Sequence, residues 1–312
     1  MGHSPALYRA DVSQLVQPIL VCMVWRGGAR FDRCLESIAA ATPFFRRVII
    51  SLTAPEDSED MRLAQQFQRQ HPSVEVICTG SEFPTMQHQT FWVDYLQRSG
   101  ASPDDWIYWL AYDDQVRSAG ISALIDDEGN WPLNPKTAYI GPWAMRHESA
   151  EILWTGIEGD EMQSWTSFPH KGPTRMPLLA WIREQLRQPT YMQMSGSVMP
   201  FGNYLELRDG TPRKKGPMRI EMATAAGTGT EFVEEFSQPI SVIYGRSNSD
   251  RASYGNAARA EDIHLLTWLA RWVSHHPRRA KDFVGIMTDQ LQTRVVRSQP
   301  PTEEWRVRGT VR

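Results

Sequence analysis

Between residues 18 and 125, short apolar runs alternate with amphipathic ones, and this alternation restricts the chain's possible folds more than any other feature. PILVCMVW (18–25), RVIISL (47–52), VEVIC (74–78) and WIYWLA (106–111) are continuous enough to be strands buried on both faces. Between them, 31–41 places Phe31, Cys34, Leu35, Ile38 and Ala39 at helical spacing, and 58–70 does the same with Met61, Ala64 and Phe67. Further helices are expected over 85–97 and 118–125. Strands alternating with helices of this length imply a parallel sheet with right-handed crossovers, the α/β class.

The pattern loosens after residue 132. Residues 133–217 are rich in Pro, Gly, Trp and Met, with a strand expected at 138–140 and a helix at 178–186. Long irregular stretches in a compact protein more often carry function than serve as spacers. Another strand is expected at 239–244, then helices over 261–273 and 279–296, split by His275-His276-Pro277. The expected organisation is an N-terminal arm (1–17), an α/β half (18–132), a loop-rich half of the same domain (133–260) and a C-terminal helical extension (261–312).

Composition narrows the function. A net charge of -3 gives no electrostatic case for nucleic acid as a partner. Cys22, Cys34 and Cys78 lack metal-ligand spacing, and two lie in apolar runs, so a reducing cytoplasm is the simplest compartment. No apolar run approaches the ~18 residues of a membrane span. Basic Arg278, Arg279 and Lys281 beside apolar Phe283 and Ile286 leave peripheral contact with the inner membrane face open, a cap over the sheet being the plainer reading.

Asp113 and Asp114 end the fourth apolar run abruptly. Unpaired carboxylates are costly to bury, so an acidic pair at a strand lip faces solvent, a cation or a polar ligand. Oxygen-only ligands suit Mg²⁺ or Mn²⁺, ions that commonly bridge protein to diphosphate. The alternative is a solvated turn with Asp as helix N-cap. Gly27-Gly28 fits neither the Walker nor the dinucleotide fingerprint and reads as a tight strand-to-helix turn, with Arg26, Arg30 and Arg33 near enough to meet phosphate. Met194-Ser195-Gly196-Ser197 lacks the nucleophile elbow of a hydrolase.

Four segments in order resemble GT-A glycosyltransferases of the inverting family two: LVCMVWRGGARFDRCLESI (20–38), YWLAYDDQV (108–116), YMQMSGSVMP (191–200) and QPISVIYGRSNS (238–249). The resemblance implies a GT-A-like open, mostly parallel sheet flanked by helices. It implies donor contacts at Val24, Trp25, Arg26, Thr53, Glu56, Asp113, Ser195 and Gly196, and a divalent ion on Asp113 and Asp114, with Asp114 the preferred ligand of the two. It implies a catalytic base at Glu221, with Glu231, Glu234, Glu235 and Glu261-Asp262 as competitors. Departures are also visible, since Ala111 stands where relatives carry the first Asp of the metal motif and Met222 where the base has an Asp neighbour.

The implied activity is metal-assisted transfer of a sugar from a nucleotide-sugar donor to a saccharide or lipid-linked saccharide, with inversion. A sugar nucleotidyltransferase and a non-catalytic nucleotide- or saccharide-binding module are the rivals. Trp143, Trp154 and Trp165 are either sugar-stacking or core residues.

Overall fold

Every residue of the first strand, β1 (Ile19–Val24), is buried, as a continuous apolar run in the middle of a covered parallel sheet should be. A computed structural model describes residues 17–83, 85–147, 164–165, 173–187, 195–210 and 230–245, with Lys281, Val284, Gly285 and Thr288. After β1 come α1 (Ala29–Ala41), a 3₁₀ turn (Thr42–Phe44), β2 (Arg47–Leu52), α2 (Glu59–Gln70), β3 (Val74–Cys78), α3 (Thr85–Arg98) and β4 (Trp106–Ala111). These elements match the expected alternation to within about two residues. Ser58 sharpens the start of α2, because its hydroxyl accepts the Met61 amide at 3.2 Å, and Glu59 and Asp60 complement the positive end of the helix.

β1 pairs in parallel with β2 on one side and β4 on the other, and β3 extends the sheet beyond β2. Alternate residues of β1 serve opposite faces. Leu20, Cys22 and Val24 meet Phe31, Cys34, Leu35 and Ile38 of α1 and Ala64 and Phe67 of α2. Ile19, Val21 and Met23 share the other core with Trp92, Val93 and Leu96 of α3. Each such aliphatic side chain taken fully out of water contributes about 1.5–3 kcal/mol before conformational entropy is counted. The result is a helix–sheet–helix sandwich built on one strand.

The second half completes the same sheet. It contains β5 (Gln115–Val116), α4 (Ser118–Ser122), β6 (Thr137–Tyr139), β7 (Trp143–His147), β8 (Ser164–Trp165) and β9 (Arg175–Pro177). There follow α5 (Leu178–Arg187), β10 (Ser197–Pro200), α6 (Phe201–Gly210), β11 (Phe232–Glu234) and β12 (Ser241–Gly245). The large sheet runs β3-β2-β1-β4-β10-β6-β11-β9, and β10 and β9 oppose the other strands. Of the described elements in this half, α4, β6, α5 and β12 are legible in the sequence. The remaining strands have two to five residues each, too short for periodicity to register. Leu178 and Trp181 of α5 and Phe201 and Tyr204 of α6 extend the core on the α3 face. A smaller sheet, β5-β12-β7-β8, stands beside the end of β4.

Candidate functional site

The chain leaves β1 toward β2 and β3, then returns to place β4 on the other side of β1. The carboxyl ends of β1 and β4 therefore flank a topological switch point, where open α/β sheets bind ligands in a crevice. Trp25-Arg26-Gly27-Gly28 leaves one strand here and Tyr112-Asp113-Asp114 the other. The two ends are tied by the Tyr112 amide, which donates to the Met23 carbonyl at 3.1 Å.

Gly27-Gly28 is the tight turn expected, and its amides are already engaged. Both donate to the buried Asp60 carboxylate, from Gly27 at 2.8 Å and from Gly28 at 3.0 Å. Asp60 thus takes the anion position beside the start of α1, and the turn is no open phosphate cradle. Gly28 has φ 55, a left-handed conformation that glycine adopts without strain. Arg26 has φ 52, which is uncommon for a residue with a side chain. Its guanidinium grips Glu82 through two bonds, Nε to Oε1 at 3.0 Å and Nη2 to Oε2 at 2.9 Å, and lies 5.2 Å from the Trp25 ring centre. Arg26 holds the Glu82 carboxyl below its usual range, first through that hydrogen bond and then through its charge.

A cavity of 240 Å³ opens between the ends of β1 and β2, lined by residues that include Arg26, Gly28, Thr53, Ala54, Asp60 and Glu82. Arg26 and Thr53, expected to meet the donor, are brought together in it. Thr53 is 2% exposed, and its hydroxyl accepts the Phe83 amide and lies 3.3 Å from the Ser81 carbonyl, so it also anchors the loop after β3. Glu56 is exposed and outside the cavity lining. Val24 is buried in the core beneath α1. Sequence reasoning missed Asp60 and Glu82. Asp60 follows a capping Ser and looks like an ordinary first-turn acid, while Glu82 is far from Arg26 in sequence.

The acidic pair divides. Asp113 is half-buried at the lip of β4, whereas Asp114 is 1% exposed. The Asp114 charge acts on the buried Tyr108 hydroxyl and Cys34 thiol, on the α1 side of the sheet. Of the two carboxylates expected to hold a cation, Asp113 is thus the one with surface toward solvent. Among the described residues no three His, Cys, Asp or Glu side chains gather as a metal site. Among the described residues, Asp113 at this lip fits a site that one carboxylate shares with ligand phosphates and water, an arrangement Mg²⁺ commonly takes.

Ser195 and Gly196, also expected at the donor, are buried behind β4 and absent from the cavity lining. The Ser195 hydroxyl accepts the Ala111 amide at 2.8 Å, and the Gly196 amide donates to the Trp109 carbonyl at 2.8 Å. The Ser195 carbonyl accepts the Trp143 indole at 2.7 Å and the Ser241 hydroxyl at 3.3 Å. These bonds set the end of β4 rather than line a pocket. Trp143 is 2% exposed and belongs to the core.

Glu221, Trp154, Glu261-Asp262 and both expected C-terminal helices, apart from isolated positions, lie outside the described residues. Of the competing bases, Glu231 pairs with Lys136 at 2.9 Å and Glu234 with Arg175 at 3.4 Å, both around β11, while Glu235 is buried. The cysteines Cys22, Cys34 and Cys78 are free thiols. Among the described residues no helix is long and apolar enough to cross a membrane.

No protein-family model matches the chain, and no curated protein matches it. Among solved structures it is similar to S. aureus TarS 1-349, at 10% identity and TM-score 0.49, over 89% of this chain and 81% of that one. It is also similar to GalNAc-T7 with UDP, GalNAc and Mn²⁺, at 10% identity and TM-score 0.43, over 75% of this chain and 45% of that one. A third similarity is to 4-diphosphocytidyl-2C-methyl-D-erythritol synthase, at 13% identity and TM-score 0.39, over 73% of this chain and 90% of that one.

Proposed function

We propose that the chain is a GT-A-type glycosyltransferase that moves a sugar from a nucleoside-diphosphate donor to a saccharide or lipid-linked saccharide, with inversion. The observation that carries this reading is the switch-point crevice, which opens beside a cavity holding Arg26 on one side and ends in half-buried Asp113 on the other. The cavity between β1 and β2 would take the base and ribose, with Thr53 and the Asp60-locked turn shaping its wall. Arg26 would meet the diphosphate. Mg²⁺ or Mn²⁺ held by Asp113 and the donor phosphates would supply Lewis-acid neutralisation of the leaving diphosphate. A carboxylate on the opposite sugar face, for which the family resemblance favours Glu221, would take the acceptor proton and permit in-line attack.

Ala111 and the burial of Asp114 leave one accessible carboxylate where two were expected, which favours a non-catalytic nucleotide-binding module as the second reading. The two separate experimentally. Nucleoside diphosphates with Mn²⁺ should raise the melting temperature, a ligand at a hundred times its Kd stabilising by about 2.7 kcal/mol. A panel in which none stabilises, or in which Mn²⁺ makes no difference, would refute donor binding. Turnover of a nucleotide sugar that Asp113→Ala lowers about a thousandfold would establish the enzyme. Metal-dependent binding without turnover of any donor would establish the module instead.

A further inference from the structure

The contact between Arg26 and Glu82 has a consequence for how ligands enter. The backbone around Arg26 is held from both sides, by the Thr53 amide on the Val24 carbonyl at 3.0 Å and by Asp60 on the amides of Gly27 and Gly28. Residues in sparsely populated backbone regions persist only where their surroundings over-determine them, and they concentrate at ligand clamps and switches. Here the left-handed backbone is clamped while the side chain stays in water, the Arg26 and Glu82 side chains being 67% and 44% exposed. Both side chains line the cavity, one from the end of β1 and the other from the loop after β3. Trp25 is 49% exposed and carries the guanidinium over its ring.

We propose that Trp25, Arg26 and Glu82 form a clasp at the cavity mouth, in which Glu82 occupies Arg26 until a multiply charged phosphate displaces it. The proposal rests on reading the crevice as a diphosphate site. An exposed ion pair is weak and exchanges easily, so Glu82 orders Arg26 without locking it. A carboxylate carries one negative charge, and a diphosphate carries more charge and more acceptor oxygens for the same planar donor fork. Glu82 therefore sets a threshold that lowers the apparent affinity of every anion for Arg26 by the same factor. Weakly held monoanions and free carboxylates then leave the site empty at concentrations at which a diphosphate still fills it.

The test titrates inorganic pyrophosphate and inorganic phosphate into the full chain and into Glu82→Gln, Arg26→Ala and the double variant, at fixed low salt. Removing an exposed bidentate competitor should tighten pyrophosphate binding by about fivefold in Glu82→Gln. Phosphate should tighten by no more than the same factor, and the gain should vanish in the double variant. Circular dichroism should be unchanged, since both side chains are largely in solvent. If Glu82→Gln binds pyrophosphate no more tightly than the parent, or keeps its gain without Arg26, the clasp is wrong. A failure of the underlying reading looks different, because nucleoside diphosphates would then bind no better than pyrophosphate in any variant.

Discussion

Asp113 and Asp114 are adjacent and chemically identical, yet the fold assigns them opposite surroundings. At the lip of β4 the chain turns, the Asp114 amide donating to the Ala111 carbonyl at 3.1 Å. Asp113 stays half-buried while Asp114 is buried. Burial pushes the Cys34 thiol and Tyr108 hydroxyl well up; the Asp114 charge adds to both, and for Cys34 the neighbouring Cys22 and the Asp113 charge add as well. Asp114→Asn should therefore cost about 1–3 kcal/mol of stability, as disturbing a buried polar group usually does. Asp113→Asn should leave the melting temperature nearly unchanged and remove metal-dependent nucleotide binding. Thermal melts of the two variants with and without Mn²⁺ and a nucleoside diphosphate check this division. A reversed pattern would restore Asp114 as the cation ligand.

At the scale of elements, the junction of β4, β10 and β12 is set by close packing at Gly196. Gly196 has φ 78, and a Cβ there would lie 2.1 Å from the Ser241 Oγ and 2.6 Å from the Ser241 Cβ. The close approach lets the Gly196 amide reach Trp109 and the Ser195 hydroxyl reach Ala111. Gly196→Ala should destabilise by about 2–4 kcal/mol, combining backbone strain with overpacking. In a Ser241→Gly background the clash is gone and only the conformational part should remain. Chemical denaturation of the single and double variants measures both. Equal costs in the two backgrounds would show that Ser241 is not the obstacle.

At the scale of the whole molecule, a buried polar pair links folding to pH. Ser51 of β2 and His88 of α3, 0% and 1% exposed, meet with Oγ and Nε2 2.8 Å apart. Burial lowers His88 from 6.5 to about 4, and a hydrogen bond to the Ser51 backbone opposes it only in part. As pH falls the unfolded chain takes up this proton first. Stability is therefore fully present above about pH 6.5 and is lost progressively down to about pH 4, by about 3 kcal/mol. Glu75 is held below its usual range chiefly by the Arg47 hydrogen bonds, and its contribution is lost in the same direction at lower pH still. His88→Gln should flatten the stability profile between pH 6.5 and 4 and leave the lower loss in place. An unchanged profile in denaturant titrations would mean that His88 is not the group responsible.

The four strands β1 to β4, their helices and the parallel class were readable from the chain itself, because continuous apolar runs and helices with one apolar stripe have distinct periodicities. The order β3-β2-β1-β4, and with it the switch point that brings Arg26 near Asp113, belongs to the tertiary structure. Which side chains act there was not readable. Asp60 and Glu82 reach the β1 turn from α2 and from the loop after β3, Asp114 turns inward, and Ser195 and Gly196 are spent on tying β10 to β4. Local sequence specifies elements through patterns a few residues long. Contacts between residues 33, 56 or 84 positions apart are decided by packing, where one residue's burial or hydrogen bond depends on neighbours that only the folded sheet brings near.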